Sequence, residues 1–287
     1  MFDWDRVCGA QAAVMGVLNV TPDSFSDGGC FLDPDTAVAH GIALVDAGAD
    51  LVDVGGESTR PGAAPVPADE ELHRVVPVIE RLAAATDVPI SVDTTKATVA
   101  RAALAAGASI VNDVSAGRLD PDILSVAADA GAGYVAMHMQ GEPRTMQADP
   151  RYDDVVAEVG DFLATRVDLA LDAGIAPGAL AADPGIGFGK TVDHNLRLLA
   201  GLPSLVEHVQ VPVMVGTSRK TFIGKLLARA GGVADPLPAD QRDEGTLATV
   251  VWAVERGASI VRVHDVRPAA DAVRLLHALD VAEASAA

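Results

Sequence analysis

Polar side chains recur at corresponding places along this chain, each closing or following a short apolar run. In chain order they are Asn19, the ESTR stretch from Glu57 to Arg60, Asp93, Asn112 with Asp113, His138 with Gln140, Asp183, Ser218 to Lys220, and Arg262 with His264. A carboxylate accepts two parallel N–H bonds and a carboxamide both donates and accepts, so Asp93, Asn112 and Asp183 suit the edge of an amino-substituted heterocycle. Arg262 and His264 occupy alternate positions of one run and so share a face; with Lys220 they suit an anion. The stretch DPGIGFGK (183–190) has the glycines of a phosphate loop, but its spacing is wrong and a carboxylate opens it, where phosphate would be repelled. Asp183 is therefore expected to hold a ring nitrogen, with the glycines letting backbone approach the ligand.

Other chemistries are missing. No His/Asp/Glu trio has the spacing of a catalytic metal site. Ser218 lies outside a nucleophile-elbow context and nothing pairs it with a base. A single polar residue at a strand end can be a helix cap or a turn former, and Asp113 and Asp265 read that way. Eight such ends in a row exceed what capping explains.

The elements that must position these residues are short β-type runs at 13–19, 50–56, 89–93, 109–113, 133–139, 179–185, 211–216 and 259–265. Ala-rich amphipathic segments lie between them, among them 35–48, 69–86, 95–106, 152–173 and 240–256, and the last helix is expected over 268–280. DAGAD, AAGAS and ERGAS put a glycine where a helix gives way to the next strand. Eight β/α repeats predict an α/β fold, a single (β/α)8 TIM barrel with its active site at the C-terminal ends of the strands. An open doubly wound sheet would carry a glycine-rich dinucleotide turn after its first strand, which is lacking here. The expected division is a lead-in at 1–12, the barrel at 13–280 and a tail at 281–287. Residues 231–240 are expected to form a surface loop, and the long loops 20–33 and 57–68 to order over substrates and exclude water.

Composition narrows the function classes. The 287 residues carry a net charge of −19 with no basic tail, which argues against nucleic-acid binding. Cys8 and Cys30 fit no zinc spacing and make no disulfide framework. Neither a signal peptide nor an apolar run of transmembrane length is present, so a cytoplasmic protein without membrane contact is expected. Only four lysines occur, Lys96, Lys190, Lys220 and Lys225, so each one at a strand end draws notice. His40, His73, His194, His208 and His277 are expected at the surface or in packing. His138 either lines the pocket or fills the barrel, and Met137 and Met139 are expected to pack or, for one of them, to face the ligand.

VMGVLNVTPDSFSDGG (14–29) and GADLVDVGGESTRPG (48–62) resemble the two signature motifs of the dihydropteroate synthase family. SVDT (91–94), VNDVSAG (111–117), MHMQGEPRTMQ (137–147), DPGIGFGKT (183–191), GTSRK (216–220) and RVHDV (262–266) are similar to its further blocks, in order, so the resemblance spans 14–268. It implies a TIM barrel, a homodimer, that joins 6-hydroxymethyl-7,8-dihydropterin pyrophosphate to p-aminobenzoate, giving 7,8-dihydropteroate and pyrophosphate. By the same resemblance Asp93, Asn112 and Asp183 hold the pterin edge, Lys220 contacts the ring, and Arg262 stacks on it. Asn19 bears Mg²⁺, and Arg262 with His264 receives the pyrophosphate. The p-aminobenzoate rests among Thr59, Arg60, Pro61, Phe188 and Ser218, where sulfonamides would compete, and Phe25 helps cover the site. Loss of pyrophosphate would leave a cation on the methylene carbon, with acids expected on one rim of the mouth and cations opposite. Two alternatives share the barrel: a folate-dependent methyltransferase, which needs neither Lys220, His264 nor STRPG, and a non-catalytic pterin-binding homologue.

Overall fold

The computed structural model describes residues 1–21, 33–58, 63–142 and 144–286. Each predicted run contains a strand: β1 (Ala13–Asn19), β2 (Leu51–Gly55), β3 (Ile90–Asp93), β4 (Ile110–Asp113), β5 (Gly133–Met137), β6 (Leu180–Asp183), β7 (Met214–Val215) and β8 (Ile260–Val263). All paired strands are parallel, in the order β6-β5-β4-β3-β2-β1-β8-β7. A bridge between Ala182 and Val213, with the Ala182 N–H donating to the Pro212 carbonyl at 2.9 Å, brings β6 against β7 and closes the ring. The (β/α)8 barrel predicted from the repeats is the fold observed. β7 is shorter than its apolar run because Pro212 has no N–H to give to a ladder.

Helices cover the outside: α1 (Trp4–Cys8), α2 (Pro34–Asp46), α3 (Ala68–Ala85), α4 (Ala97–Ala105), α5 (Asp122–Ala130), α6 (Val155–Asp172), α7 (Val192–Ala200), α8 (Leu202–Val209), α9 (Thr221–Ala230), α10 (Asp243–Val254) and α11 (Val266–Ala286). Local chemistry sets their starts. The Asp33 side chain accepts from the Asp35 and Thr36 N–H groups at the head of α2, Asp154 does the same for α6, and Thr191 forms a capping box with His194 on α7. One helix end differs from expectation. α11 continues through 281–286, the expected tail, because VAEASA holds good helix formers and nothing there breaks the helix. The lead-in is structural: α1 carries Trp4, 1% exposed, whose indole N–H donates to the Ala179 carbonyl at 3.0 Å.

Strand alternation divides the core. Val52, Val54, Val92, Val111, Val261 and Val263 point outward and pack under the helices. The opposite parity points inward, where Trp4, Met15, Leu51, Ile110, Ala181, Met214 and Ile260 form an apolar plug at the N-terminal end of the barrel. Two residues beyond the plug, along the same inward parity, come Asp53, Asn112, Asp183 and Arg262, with Asp93 beside Asn112 in register. The floor is thus apolar, and what stands on it is charged.

Candidate active site

The inward charged residues meet. Arg262 donates from Nε to Asp53 Oδ2 at 2.6 Å and from an Nη to Asp93 Oδ2 at 2.9 Å. Asn112 Nδ2 donates to the same Asp53 oxygen at 2.9 Å. Asp53 was not among the candidates. It escapes a search of strand ends because it sits mid-strand, although a carboxylate at inward parity inside LVDVG is itself a signal that a buried partner exists.

The acids and cations interleave here. The expectation of acids on one rim and cations on the other does not describe this arrangement, since Arg262 lies between two carboxylates. Desolvated carboxylates require a counter-charge at hydrogen-bond distance, and the guanidinium fork supplies one for both. Burial still pushes the Asp93 carboxyl up to about 7, opposed by Arg262 and reinforced by Asp53. Burial works against charge on Arg262 as well, but Asp53 and Asp93 outweigh it and hold the guanidinium ionised.

Asp183 stands at the end of β6, paired in register with Met137. Its Oδ1 accepts the Gly185 N–H at 2.7 Å. Only glycine fits at 185: φ is +64°, and a Cβ would lie 1.8 Å from the His138 carbonyl oxygen. Burial raises the Asp183 pKa, with Lys220 as the main opposing charge. Lys220 precedes α9, donates to the Ile186 carbonyl, and stands 4.7 Å from the centroid of the Phe188 ring. Burial lowers its ammonium to about 8, with Asp183 pulling the other way. A Cβ at Gly216 would meet Arg262 Cβ at 3.7 Å and Lys220 Nζ at 4.0 Å, so the two cations flank one glycine.

Asn19 closes β1 at the mouth. A Cβ on neighbouring Gly55 would lie 3.7 Å from both Asn19 Oδ1 and Asp93 Oδ2. Ser218 Oγ accepts the His264 N–H at 3.1 Å and lies 2.9 Å from His264 Nδ1. Phe188 packs on an apolar wall of Val114, Met137, Met139 and Met146, of which Met137 and Met139 were expected to pack. The structure therefore brings together Asn112, Asp93, Asp183, Arg262 and Lys220, with Asn19, Phe188 and the Ser218–His264 pair on described loops and strands. Phe25, Thr59, Arg60 and Pro61 lie outside the described residues.

Two further groups hold the frame. Lys190, 3% exposed, places Nζ 2.9 Å from His138 Nδ1 and 3.0 Å from the Phe188 carbonyl. Burial and then Lys190 hold His138 neutral, and its ring packs edge-on to Phe162 at 4.8 Å. Lys96 ion-pairs with Glu57 and, at 2.5 Å, with fully buried Glu71. Asp113 is a turn residue as expected, accepting from the Ser115 and Gly117 N–H groups and the Tyr134 hydroxyl.

The pocket has surplus acceptors. Asp53 Oδ1 and Asn112 Oδ1 are buried and find no donor among the described residues. An entering ring edge rich in N–H donors would satisfy the Asn112 oxygen; a ring edge of acceptors would not. Among the described residues no group of three or more His, Cys, Asp or Glu side chains could hold a metal ion. A cavity of about 300 Å³ at the other end of the barrel, bordered by Cys8, Gln11, Ser259 and His277, has no such convergence of charge. No helix among the described residues is long and apolar enough to cross a membrane.

Comparison with known proteins points to one family. The sequence profile of the pterin binding enzyme family matches residues 15–264. Dihydropteroate synthase from Mycobacterium leprae is 52% identical over 271 residues, 94% of this chain and 94% of that protein. Among solved structures, the Xanthomonas albilineans dihydropteroate synthase with 4-aminobenzoic acid superposes with a TM-score of 0.86 at 50% identity, covering 94% of this chain and 93% of that one. The same enzyme in complex with 7,8-dihydropteroate gives 0.83 at 48%, covering 94% of each chain. A Yersinia pestis dihydropteroate synthase in a sulfonamide drug complex gives 0.87 at 46%, covering 95% of each.

Proposed function

The chain belongs to the pterin binding enzyme family, and from that premise we propose that it is a dihydropteroate synthase. It condenses 6-hydroxymethyl-7,8-dihydropterin pyrophosphate with p-aminobenzoate to give 7,8-dihydropteroate and pyrophosphate. The observation that carries this reading is the buried set of acceptor oxygens on Asn112, Asp93 and Asp183, with Lys220 and Arg262 against it. An aminopyrimidinone edge offers the donors that this set lacks.

The chemistry asks for no covalent intermediate. The bond between the methylene carbon and the diphosphate oxygen breaks, the electron pair leaving with the oxygen. The amine nitrogen of p-aminobenzoate then bonds to the methylene carbon and releases a proton to solvent. Asp93 and Asp183 stabilise the positive charge that develops on the pterin, and Arg262 and His264 face the departing diphosphate. Phe188 offers an aromatic face for the arylamine, together with Thr59, Arg60, Pro61 and Ser218, and Phe25 helps cover the mouth. Sulfonamides would compete at that position.

Mg²⁺ fits as an ion that arrives with the diphosphate. Asn19 supplies a single neutral oxygen, which suits a cation that takes most of its ligands from water and substrate phosphates. When bound, it would draw negative charge off the leaving group. A cytoplasmic homodimer completes the proposal.

The test is to incubate the chain with both substrates and Mg²⁺ and follow pyrophosphate and dihydropteroate together. Release that depends on p-aminobenzoate supports the synthase. Pterin binding without any release would favour the non-catalytic homologue.

A further inference from the structure

We infer that Asp53 is a positioning residue for this site: its carboxylate fixes which way the Asn112 amide and the Arg262 guanidinium face, and so which heterocycle edge the pocket accepts. The inference rests on the proposed pterin reading and goes past it to a residue with no accessible surface.

The side chain of Asp53 is 0% exposed, so it cannot touch a ligand and must act through others. One oxygen, Oδ2, receives both Arg262 Nε at 2.6 Å and Asn112 Nδ2 at 2.9 Å. An ionised carboxylate only accepts, so the amide of Asn112 must turn its NH₂ toward Asp53. Turning it over would set Asn112 Oδ1 against Asp53 Oδ2, two acceptors facing each other in a buried place. Asn112 Oδ1, left without a donor among the described residues, is then what the amide can offer a ring. The same bond at Nε fixes the plane of Arg262, leaving an Nη to reach Asp93.

A neutral amide at position 53 has the same shape but both donates and accepts, so it no longer dictates how Asn112 is turned. Discrimination between ring edges should suffer more than binding of the arylamine, because a buried polar group left unpaired is what rejects a mismatched ligand. The probes are 6-hydroxymethylpterin and its 2,4-dioxo analogue, in which the exocyclic amino donor is replaced by an oxygen acceptor. Calorimetry gives Kd for each, steady-state kinetics gives KM for p-aminobenzoate, and a thermal melt checks folding.

Asp53→Asn is expected to weaken pterin binding about 10- to 100-fold and to narrow the pterin-to-analogue ratio by about tenfold, while KM for p-aminobenzoate stays within about twofold. A folded Asp53→Asn variant with wild-type pterin affinity and an unchanged ratio would overturn the inference. So would an equal loss for pterin, analogue and p-aminobenzoate, the pattern of a merely structural residue.

A second measurement avoids any change at position 53. In ¹⁵N-labelled wild-type protein, with the signal assigned through Asn112→Ala, the Asn112 side-chain amide should keep one slowly exchanging proton with or without pterin. Fast exchange of both protons overturns the positioning role. A wild-type chain that bound no pterin would remove the proposed function and this inference together, whereas binding by wild type with an indifferent Asp53→Asn removes the inference alone.

Discussion

Burial moves two opposite groups toward each other on the pH scale: Asp93 rises to about 7 and Lys220 falls to about 8. The chemistry needs Asp93 ionised, to stabilise positive charge, and Lys220 protonated, to contact the ring. Activity should therefore rise with pH through the Asp93 value and fall above the Lys220 value. The expected kcat/KM profile is a narrow bell centred between the two. Lys220→Arg checks the assignment, since a guanidinium does not deprotonate in this range: the alkaline limb should vanish even though the rate drops, because a planar fork does not replace a compact ammonium. A retained alkaline limb would assign it to another group. Asp183 carries a separate expectation. Asp183→Asn keeps an oxygen to accept the Gly185 N–H but loses the charge, so turnover should fall about 100- to 1,000-fold while KM for p-aminobenzoate changes little. Wild-type turnover in that variant would end the cation-stabilising role. The convergence of Asp93, Asn112, Asp183 and Arg262 was legible in the sequence because eight successive apolar runs ending in polar residues exceed what caps and turns explain. Asp53 was not, because its importance comes from what it touches across 59 and 209 residues of chain.

At the level of elements, the eight strands were legible from their apolar runs and the helices from their periodicity, while their ends were not. β5, β6 and β7 stop short of their runs because backbone pairing ceases where polar loops and Pro212 begin. The same limit hid the role of Lys96. A lysine directly preceding α4 sets its charge against the positive end of the helix, an unfavourable place unless acids surround it. Glu57 and buried Glu71 do so, and Glu57 Oε1 also accepts the Val66 N–H at 3.1 Å. One carboxylate thereby ties residue 57 to residue 66 and both to the head of α4, fixing the two ends of the segment that contains Thr59, Arg60 and Pro61. Lys96→Met should raise KM for p-aminobenzoate about tenfold while leaving the Kd for 6-hydroxymethylpterin near wild type, since it would free that clamp without touching Asp93 or Asn112. If pterin affinity fell in step with p-aminobenzoate, the cluster would be a general support of β3 and not a clamp on that segment.

Across the whole molecule, the barrel separates stability from chemistry by its two ends. The floor is apolar and sealed by α1, whose Trp4 reaches across to the Ala179 carbonyl ahead of β6, while every charged group of the site stands beyond that plug. Sequence alone placed residues 1–12 outside the barrel, because five helical residues carry no periodic signal and a lone tryptophan announces no partner. Their place is set by the hole that eight strands leave at their N-terminal end. Trp4→Ala should accordingly cost about 3–5 kcal/mol of stability, the range for removing a large buried aromatic, measured as a shift of the denaturation midpoint. Well below its melting temperature the variant should retain kcat and both KM values, because the charged layer rests on Met15, Leu51, Ile110 and Ile260, which remain in the plug. A fall in kcat without a fall in stability would mean that floor and site are mechanically coupled, and that packing at the bottom sets the positions of Asp53 and Arg262 two residues above it.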